Sequence, residues 1–178
     1  SKYQFRITNT QKLLAPIHAD MLAKRLGMKK IAILYFQDDW GIFVNNSTAE
    51  KLKEAGAQVI LQEAMIPEAR DFRALVTKVK AAEPDGIFLA SHYVESGVFM
   101  RQLRQSGIKL TVAATDTLNN PKFIELAGDA ANGVVMPTPF LPDSPAAKDF
   151  TKAYNARWNR MPDYYSAFSH DAIVVIGA

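Results

Sequence analysis

The chain contains no cysteine, and it has only nine glycines and nine prolines in 178 residues. The absence of cysteine excludes a disulfide framework, a thiolate metal site and a cysteine nucleophile. It leaves the redox compartment open, because cysteine-free proteins occur on both sides of a membrane. The hydrophobic fraction of 48% and the charged fraction of 22% are ordinary, which excludes a disordered or collagen-like chain. We therefore expect one globular domain with a hydrophobic core.

A large excess of one charge and a long hydrophobic run are also missing. The net charge is +3, and the longest basic clusters are the pairs Lys24-Arg25 and Lys29-Lys30. Such scattered charge is typical of solvated helix faces, so we expect no nucleic-acid partner. No apolar stretch approaches the ~20 residues that cross a bilayer, and no signal peptide is visible. Because residues 1–6 alternate like a strand, we expect the chain to be a fragment of a longer protein.

What the sequence does contain is an alternation of strand-like and helix-like segments. The nearly continuous apolar run 31–36 is typical of a strand that is covered on both faces. Strands are predicted at 3–7, 31–36, 58–61, 86–90, 110–114 and 133–136. Helices are predicted at 10–26, 43–55, 71–82, 94–105, 121–126, 146–158 and 166–176.

Two further signals refine this pattern. Gly27, Gly56 and Gly107 each follow a predicted helix, as expected of glycines that close a helix in the left-handed conformation. Pro16 lies inside the first predicted helix, where it would delay the start or introduce a kink. Repeated right-handed strand–helix–strand crossovers predict an α/β fold, a parallel sheet with helices on both faces of the flavodoxin-like kind.

Polar and aromatic side chains follow four of the predicted strands. In parallel sheets of this class, ligands bind beyond the carboxyl ends of the strands. Aromatic walls, carboxylates, an imidazole and hydroxyls at one edge suit a small polar ligand with an apolar part. The candidate ligand-binding residues are Asp39 and Trp40, His92 and Tyr93, Asp116, and Phe140.

Most of these candidates also have a purely structural interpretation. Trp40 could pack over a helix start, and Asp38 or Asp39 could cap the helix that follows. His92 could be a hydrogen-bonded surface histidine, and Asp116 could close an Asx turn. The residue types leave these alternatives open, and only the joint placement at one edge favours a binding site.

Sequence motifs of enzymes are absent. The chain has no G-x-G-x-x-G, G-x-x-x-x-G-K-[ST], H-E-x-x-H or G-x-S-x-G. His18, His92 and His170 are widely separated, so their spacing indicates no metal site. We therefore expect no catalysis, no cofactor and no metal. The pair Asp38-Asp39 weakly matches the acidic pair of response-regulator receiver domains, but the phosphoacceptor Asp and the Lys of such a domain are missing at the later strand ends.

Several short motifs occur in an order and at a spacing found in one known family. They are Phe5-Arg6 with Thr8, residues 29–35, Asp39-Trp40-Gly41, Asp71-Phe72 with Leu75, residues 83–88, Arg101-Gln102-Leu103 with Gly107, and residues 126–133. With them, the chain resembles the periplasmic solute-binding proteins of branched-chain amino acid ABC transporters, the type I or Leu/Ile/Val-binding family. The resemblance covers essentially the whole chain.

The resemblance implies a protein of two α/β lobes joined by a three-stranded hinge, with the solute held in the cleft. Residues 1–165 would form the second, ligand-binding lobe with hinge segments. Residues 166–178 would form the helix by which the chain returns to the first lobe. Without that lobe, the apolar side of this helix would pack differently or mediate self-association of the fragment.

Carried over residue by residue, the resemblance places Trp40 at an aromatic pocket position that is commonly Tyr. His92 occupies a position where the Leu/Ile/Val-binding members have a pocket Tyr, and Tyr93 is its neighbour. Asp116 occupies a position where those members have a Glu that pairs with the ammonium of the ligand. A buried ammonium needs a paired acceptor, so an acid fits there. Asp is shorter than Glu, and His differs from Tyr as a donor. The expected ligand is therefore an amino acid or a related small carboxylate, not leucine or valine in particular.

The function implied is solute capture without chemistry. The open form binds solute, hinge closure buries it, and the closed form is presented to the permease of an ABC transporter. The complete protein is expected in the periplasm or as a cell-surface lipoprotein, with a signal peptide outside this chain. Because the family's carboxylate-binding groups lie mainly on the other lobe, we expect the isolated chain to bind amino acids weakly or not at all. The alternative is a ligand-sensing domain of a receptor or transcription regulator with the same fold.

Overall fold

The computed structural model describes residues 6–177 of the chain. These residues fall into two compact units, which are described separately. The larger unit is Gln11–Pro137, and the smaller unit combines residues 6–10 with residues 138–177. The strand predicted at 3–7 lies largely outside the described residues. Arg6 and Ile7, which are described, belong to no strand.

Within residues 11–137, four strands form one parallel sheet. They are β1 (Lys30–Phe36), β2 (Gln58–Met65), β3 (Gly86–Ala90) and β4 (Thr111–Ala114). Their order across the sheet is β2-β1-β3-β4. Near the end of β1, Tyr35 pairs with Ala64 of β2 and with Ala90 of β3. This topology confirms the predicted α/β class, and it makes the loops after β1 and β3 neighbours.

Helices cover both faces of the sheet, as predicted. They are α1 (Gln11–Ala19), α2 (Asp39–Glu54), α3 (Arg73–Ala82), α4 (Tyr93–Gln105) and α5 (Pro121–Ala127). Helices α3, α4 and α5 enclose a core that includes Leu34 and Ile87, whereas α1 and α2 enclose one that includes Ile33 and Phe88. All five residues of β3 are buried, which explains the unbroken apolar sequence of this strand.

The sixth predicted strand, at 133–136, is wrong. Only a single parallel bridge, between Ala113 and Val135, forms there. Val135 donates to the carbonyl of Val112 at 3.0 Å and accepts from the amide of Ala114 at 2.9 Å. The ladder cannot continue far, because Pro137 has no amide hydrogen to donate.

The first helix is also less regular than predicted. The α1 helix begins at Gln11 despite Pro16 in its interior, so the proline does not delay the start. Four residues beyond Pro16 the chain continues as a π-helical turn, Asp20–Arg25. Gly27 then takes a left-handed φ of 66°, and Gly56 and Gly107 do the same at 78° and 81° after their helices. These three predicted helix ends are confirmed.

The described residues of the smaller unit contain two α-helices, α6 (Lys148–Trp158) and α7 (Tyr164–Gly177). The hydroxyl of Ser166 on α7 donates to the phenolic oxygen of Tyr154 on α6 at 3.1 Å, and the Phe150 and His170 rings lie 4.9 Å apart. The far end of α7 exposes an apolar run that includes Ile173 and Ile176. Among the described residues, no helix combines the length and apolar character needed to cross a membrane.

Candidate ligand-binding site

The carboxyl ends of β1, β3 and β4 meet at one edge of the sheet in the larger unit. Two hydrogen bonds join the segment after β4 to the end of β3 and its loop. The amide of Thr115 donates to the carbonyl of Leu89 at 3.1 Å, and the hydroxyl of Thr117 donates to the carbonyl of Ser91 at 2.7 Å. The loop after β3 therefore lies between the loop after β1 and the segment that carries Asp116.

Asp38 ends the loop after β1 and caps helix α2. Its backbone is extended, and its Oδ1 accepts a hydrogen bond from the amide of Gly41 at 2.7 Å. A Cβ at Gly41 would collide with the backbone oxygen of Phe36, so the tight turn requires glycine here. This cap starts α2 at Asp39, four residues earlier than predicted, and places Trp40 in the first helical turn.

Trp40 and His92 are brought together across the loops after β1 and β3. Their rings stack with centroids 5.0 Å apart and an interplanar angle of 16°. Phe36 approaches His92 edge-on at 4.5 Å, and Asp38 Oδ2 lies 3.8 Å from His92 Nε2. This distance is too long for a hydrogen bond, so the Asp38 contact is an ion pair when the imidazole is protonated. The stack forms a half-buried aromatic wall.

Asp116 begins a short 3-10 turn, Asp116–Leu118, which is separated from the end of β4 by Thr115 alone. The amide of Asn119 donates to the backbone carbonyl of Asp116 at 3.0 Å, so the carboxylate does not close this turn. The Asx turn, which the sequence left open as an alternative role for Asp116, is therefore not what closes this turn. Partial burial raises the pKa of the Asp116 carboxyl, because the charged form loses hydration. A cationic group brought next to this carboxylate would restore the lost stabilisation.

The remaining predicted residues take other positions. Asp39 is exposed in the first turn of α2, and Tyr93 is the first residue of α4, half-buried against the core on the α3–α5 face of the sheet. Phe140 belongs to the smaller unit, where its ring meets Phe150 edge-on at 6.0 Å. The structure thus joins Trp40 to His92 directly and places Asp116 at the same edge of the sheet.

Sequence reasoning missed two contributors to this edge. Asp38 was expected only as one of two alternative caps, and its contact with His92 depends on strand order, which no local pattern shows. Ser91 is fully buried with no hydrogen-bond partner for its Oγ. Its position directly after β3 was the signal that could have singled it out.

The charge of this edge is acidic. Residues 37–41, 91–93 and 115–120 contain three aspartates and one histidine but no lysine or arginine. Such an edge favours a ligand with a cationic group. Within residues 6–177, no group of three or more His, Asp or Glu side chains is arranged to hold a metal ion.

Comparison with known proteins identifies the family. The family model described as "Periplasmic binding protein" matches residues 1–178. The chain therefore belongs to the periplasmic binding protein family, which confirms the resemblance predicted from its motifs. The family also confirms the prediction of a binding protein and not an enzyme.

Curated and solved relatives agree with this assignment. A leucine-, isoleucine-, valine-, threonine- and alanine-binding protein of Pseudomonas aeruginosa is 25% identical over 98% of this chain and 47% of its own length. The crystal structure of a putative branched-chain amino acid ABC transporter protein from Rhodospirillum rubrum has a TM-score of 0.90 and 28% identity, over 98% of this chain and 51% of that one. A leucine-binding protein from Thermotoga maritima has a TM-score of 0.88 and 26% identity, over 96% of this chain and 49% of that one. The chain thus spans about half the length of the relatives it matches.

Proposed function

We propose that this chain is the ligand-binding lobe of an extracytoplasmic solute-binding component of an ABC transporter. The ligand is an amino acid or a related small carboxylate, held in a cleft between this lobe and a second one. The family assignment supports this, as do relatives whose names state binding of leucine, isoleucine and valine. The observation that carries the proposal is that the Trp40–His92 wall and Asp116 share one edge of the sheet.

In this proposal each side chain has a distinct role. The carboxylate of Asp116 pairs with the ammonium of the ligand, and its raised pKa marks a charge that lacks hydration until a cation arrives. Trp40 and His92 form the wall against the apolar part of the ligand. Tyr93 and Asp39, which lie on the segments after β3 and β1, belong to the predicted set of ligand-binding residues as well. Phe140, also in that set, lies in the smaller unit.

The remaining steps concern the longer protein. Residues 1–165 act as the lobe with its hinge segments, and residues 166–178 lead back to the other lobe. Hinge closure buries the solute, and the closed form delivers it to the permease subunits. The protein works in the periplasm or as a lipoprotein on the cell surface. A sensing role in a receptor or regulator is not favoured, because the matched relatives are named as binding proteins and transporter components.

A thermal-shift screen of amino acids on the longer, two-lobed protein tests the proposal. A bound ligand raises the melting temperature, because it stabilises only the folded state. We expect at least one amino acid or small carboxylate to raise it, and Asp116→Ala to remove the rise. Ile124→Ala is the matched control, since Ile124 is 63% exposed on α5 and belongs to no part of the site. A screen with no rise for any amino acid or small carboxylate would contradict the proposal.

The isolated chain gives a second test. It carries only part of the proposed cleft, so calorimetry should detect weak binding or none for the ligand found in the screen. Micromolar affinity of the isolated chain would show that the second lobe is dispensable, contrary to the proposed two-lobed site.

A further inference from the structure

The two carboxylate oxygens of Asp38 face two different parts of the candidate site. Oδ1 accepts from the amide of Gly41 at 2.7 Å and so fixes the start of α2. Oδ2 lies 3.8 Å from Nε2 of His92, which follows the neighbouring strand β3. One side chain thus connects the helix that carries Trp40 with the loop that carries His92.

These two rings are the ones that must be aligned to form the aromatic wall. The indole of Trp40 and the imidazole of His92 are nearly parallel, with an interplanar angle of 16° and ring centroids 5.0 Å apart. Phe36, at the end of β1, contacts His92 edge-on, with ring centroids 4.5 Å apart. We propose that Asp38 is a positioning residue of the binding site, which holds Trp40 through the helix cap and His92 through its second oxygen.

Other carboxylates on the neighbouring segments are placed differently. Asp39 is exposed on α2, and Asp116 follows β4. Glu95 on α4 is buried and accepts from the amide of Glu68 at 3.0 Å. Asp38 and His92 are each about 40% exposed, with side-chain accessibilities of 40% and 41%. Their attraction is accordingly screened, so its removal should change the stability of the fold little.

The significance of this role for ligand binding rests on the proposed function, but the geometry can be tested without a ligand. The sequence contains two tryptophans, Trp40 and Trp158. In a Trp158→Phe background, Trp40 is the sole source of tryptophan emission. A stacked imidazole quenches indole emission, more strongly when it is protonated. The emission of Trp40 therefore reports the stack directly.

Four variants in this background separate the two contacts of Asp38, with emission measured at about pH 5, where an ordinary histidine is protonated with or without a carboxylate beside it. His92→Ala sets the unquenched level. Asp38→Asn keeps an oxygen that can cap α2 but removes the charge that faces His92. Asp38→Ala removes both the capping oxygen and the charge. Asp39→Asn removes a neighbouring charge that is not paired with His92.

We expect Asp38→Asn to raise the Trp40 emission by more than half of the difference between the parent and His92→Ala. Its urea midpoint of unfolding should stay at the parent value, because the cap remains. Asp38→Ala should raise the emission at least as much and also lower the midpoint. Asp39→Asn should leave the emission at the parent level.

Two results would overturn the inference. If Asp38→Asn keeps the parent emission while His92→Ala raises it, Asp38 is a helix cap alone. If His92→Ala leaves the emission unchanged, the rings are not stacked in solution and Asp38 positions nothing. Neither result depends on whether an amino acid binds. Conversely, a failed amino-acid screen with the expected emission changes would refute the proposed function and leave the positioning role in place.

Discussion

At the scale of single residues, Asp116 combines a folding cost with the binding role that we propose for it. Its raised pKa means that the folded chain disfavours the ionised carboxyl, so this group destabilises the fold at pH values above its ordinary pKa. We predict that Asp116→Asn increases the free energy of unfolding in urea at pH 7, and that the gain disappears at low pH, where the carboxyl is protonated in both states. The same substitution should abolish amino-acid binding by the longer protein.

The control for this prediction is Asp129→Asn, which neutralises an exposed carboxylate in the same unit. It should leave the free energy of unfolding nearly unchanged, as substitutions of exposed residues usually do. If Asp116→Asn is no more stable than the parent at pH 7, burial of the Asp116 carboxylate is not costly.

His18 shows the same penalty for a buried charge with the opposite pH dependence. It is 1% exposed on α1, its ring lies 5.0 Å from that of Phe88, and burial lowers its pKa to about 4. The folded state holds His18 neutral while the unfolded state gains a proton as the pH falls below its ordinary value of 6.5. The cost of keeping His18 unprotonated is therefore absent above pH 6.5, and between there and about 4 it grows toward a limit of about 3 kcal/mol.

We predict that His18→Leu removes this part of the acid sensitivity. Urea unfolding at pH 7 and at about pH 4 should show a smaller loss of stability for His18→Leu than for the parent chain. His170→Gln, which changes an exposed histidine, should show the same loss as the parent. An equal pH dependence for all three proteins would mean that His18 is hydrated or paired in solution.

At the scale of elements, the start of α2 decides where Trp40 lies. The turn between β1 and α2 is so tight that a Cβ on Gly41 would collide with the backbone oxygen of Phe36. We predict that Gly41→Ala lowers the free energy of unfolding by about 1–3 kcal/mol, the usual cost of overpacking, and shifts the emission of Trp40. Gly177→Ala is the control, because a Cβ there meets open space near the end of α7. Equal stability of the two variants would contradict the close approach.

Element boundaries also show where local patterns fall short. The apolar residues on both faces of the run 31–36 predict a strand, and the structure confirms it as part of β1. The segment 133–136 has a similar apolar pattern but makes one bridge only. Pairing needs a partner edge and free amide groups, and the sequence of the segment itself specifies neither.

At the scale of the whole molecule, the exposed end of α7 predicts self-association of the isolated chain. Ile173, Val174, Val175 and Ile176 are 54–79% exposed in a row, which is unusual for large apolar side chains on a monomer surface. We predict that sedimentation at rising concentration shows a dimer or larger species, and that Ile173→Lys reduces it. Ile124→Lys on α5 is the matched control, since Ile124 is similarly exposed at 63%. A monomer at all concentrations would contradict this prediction.

The sequence by itself determined the parallel α/β fold, the helix-closing glycines such as Gly27, and the family, because apolar period, turn residues and motif spacing are local or ordered along the chain. It also pointed to Trp40, His92 and Asp116 as residues at strand ends. Only the tertiary structure decided that Trp40 stacks on His92 and that the carboxylate of Asp38 faces both the amide of Gly41 and the imidazole of His92. Those contacts follow from the order β2-β1-β3-β4, which makes the ends of β1 and β3 neighbours although they are more than 50 residues apart in the sequence. Neighbour relations of this kind arise from the packing of the whole sheet, and no short segment encodes them.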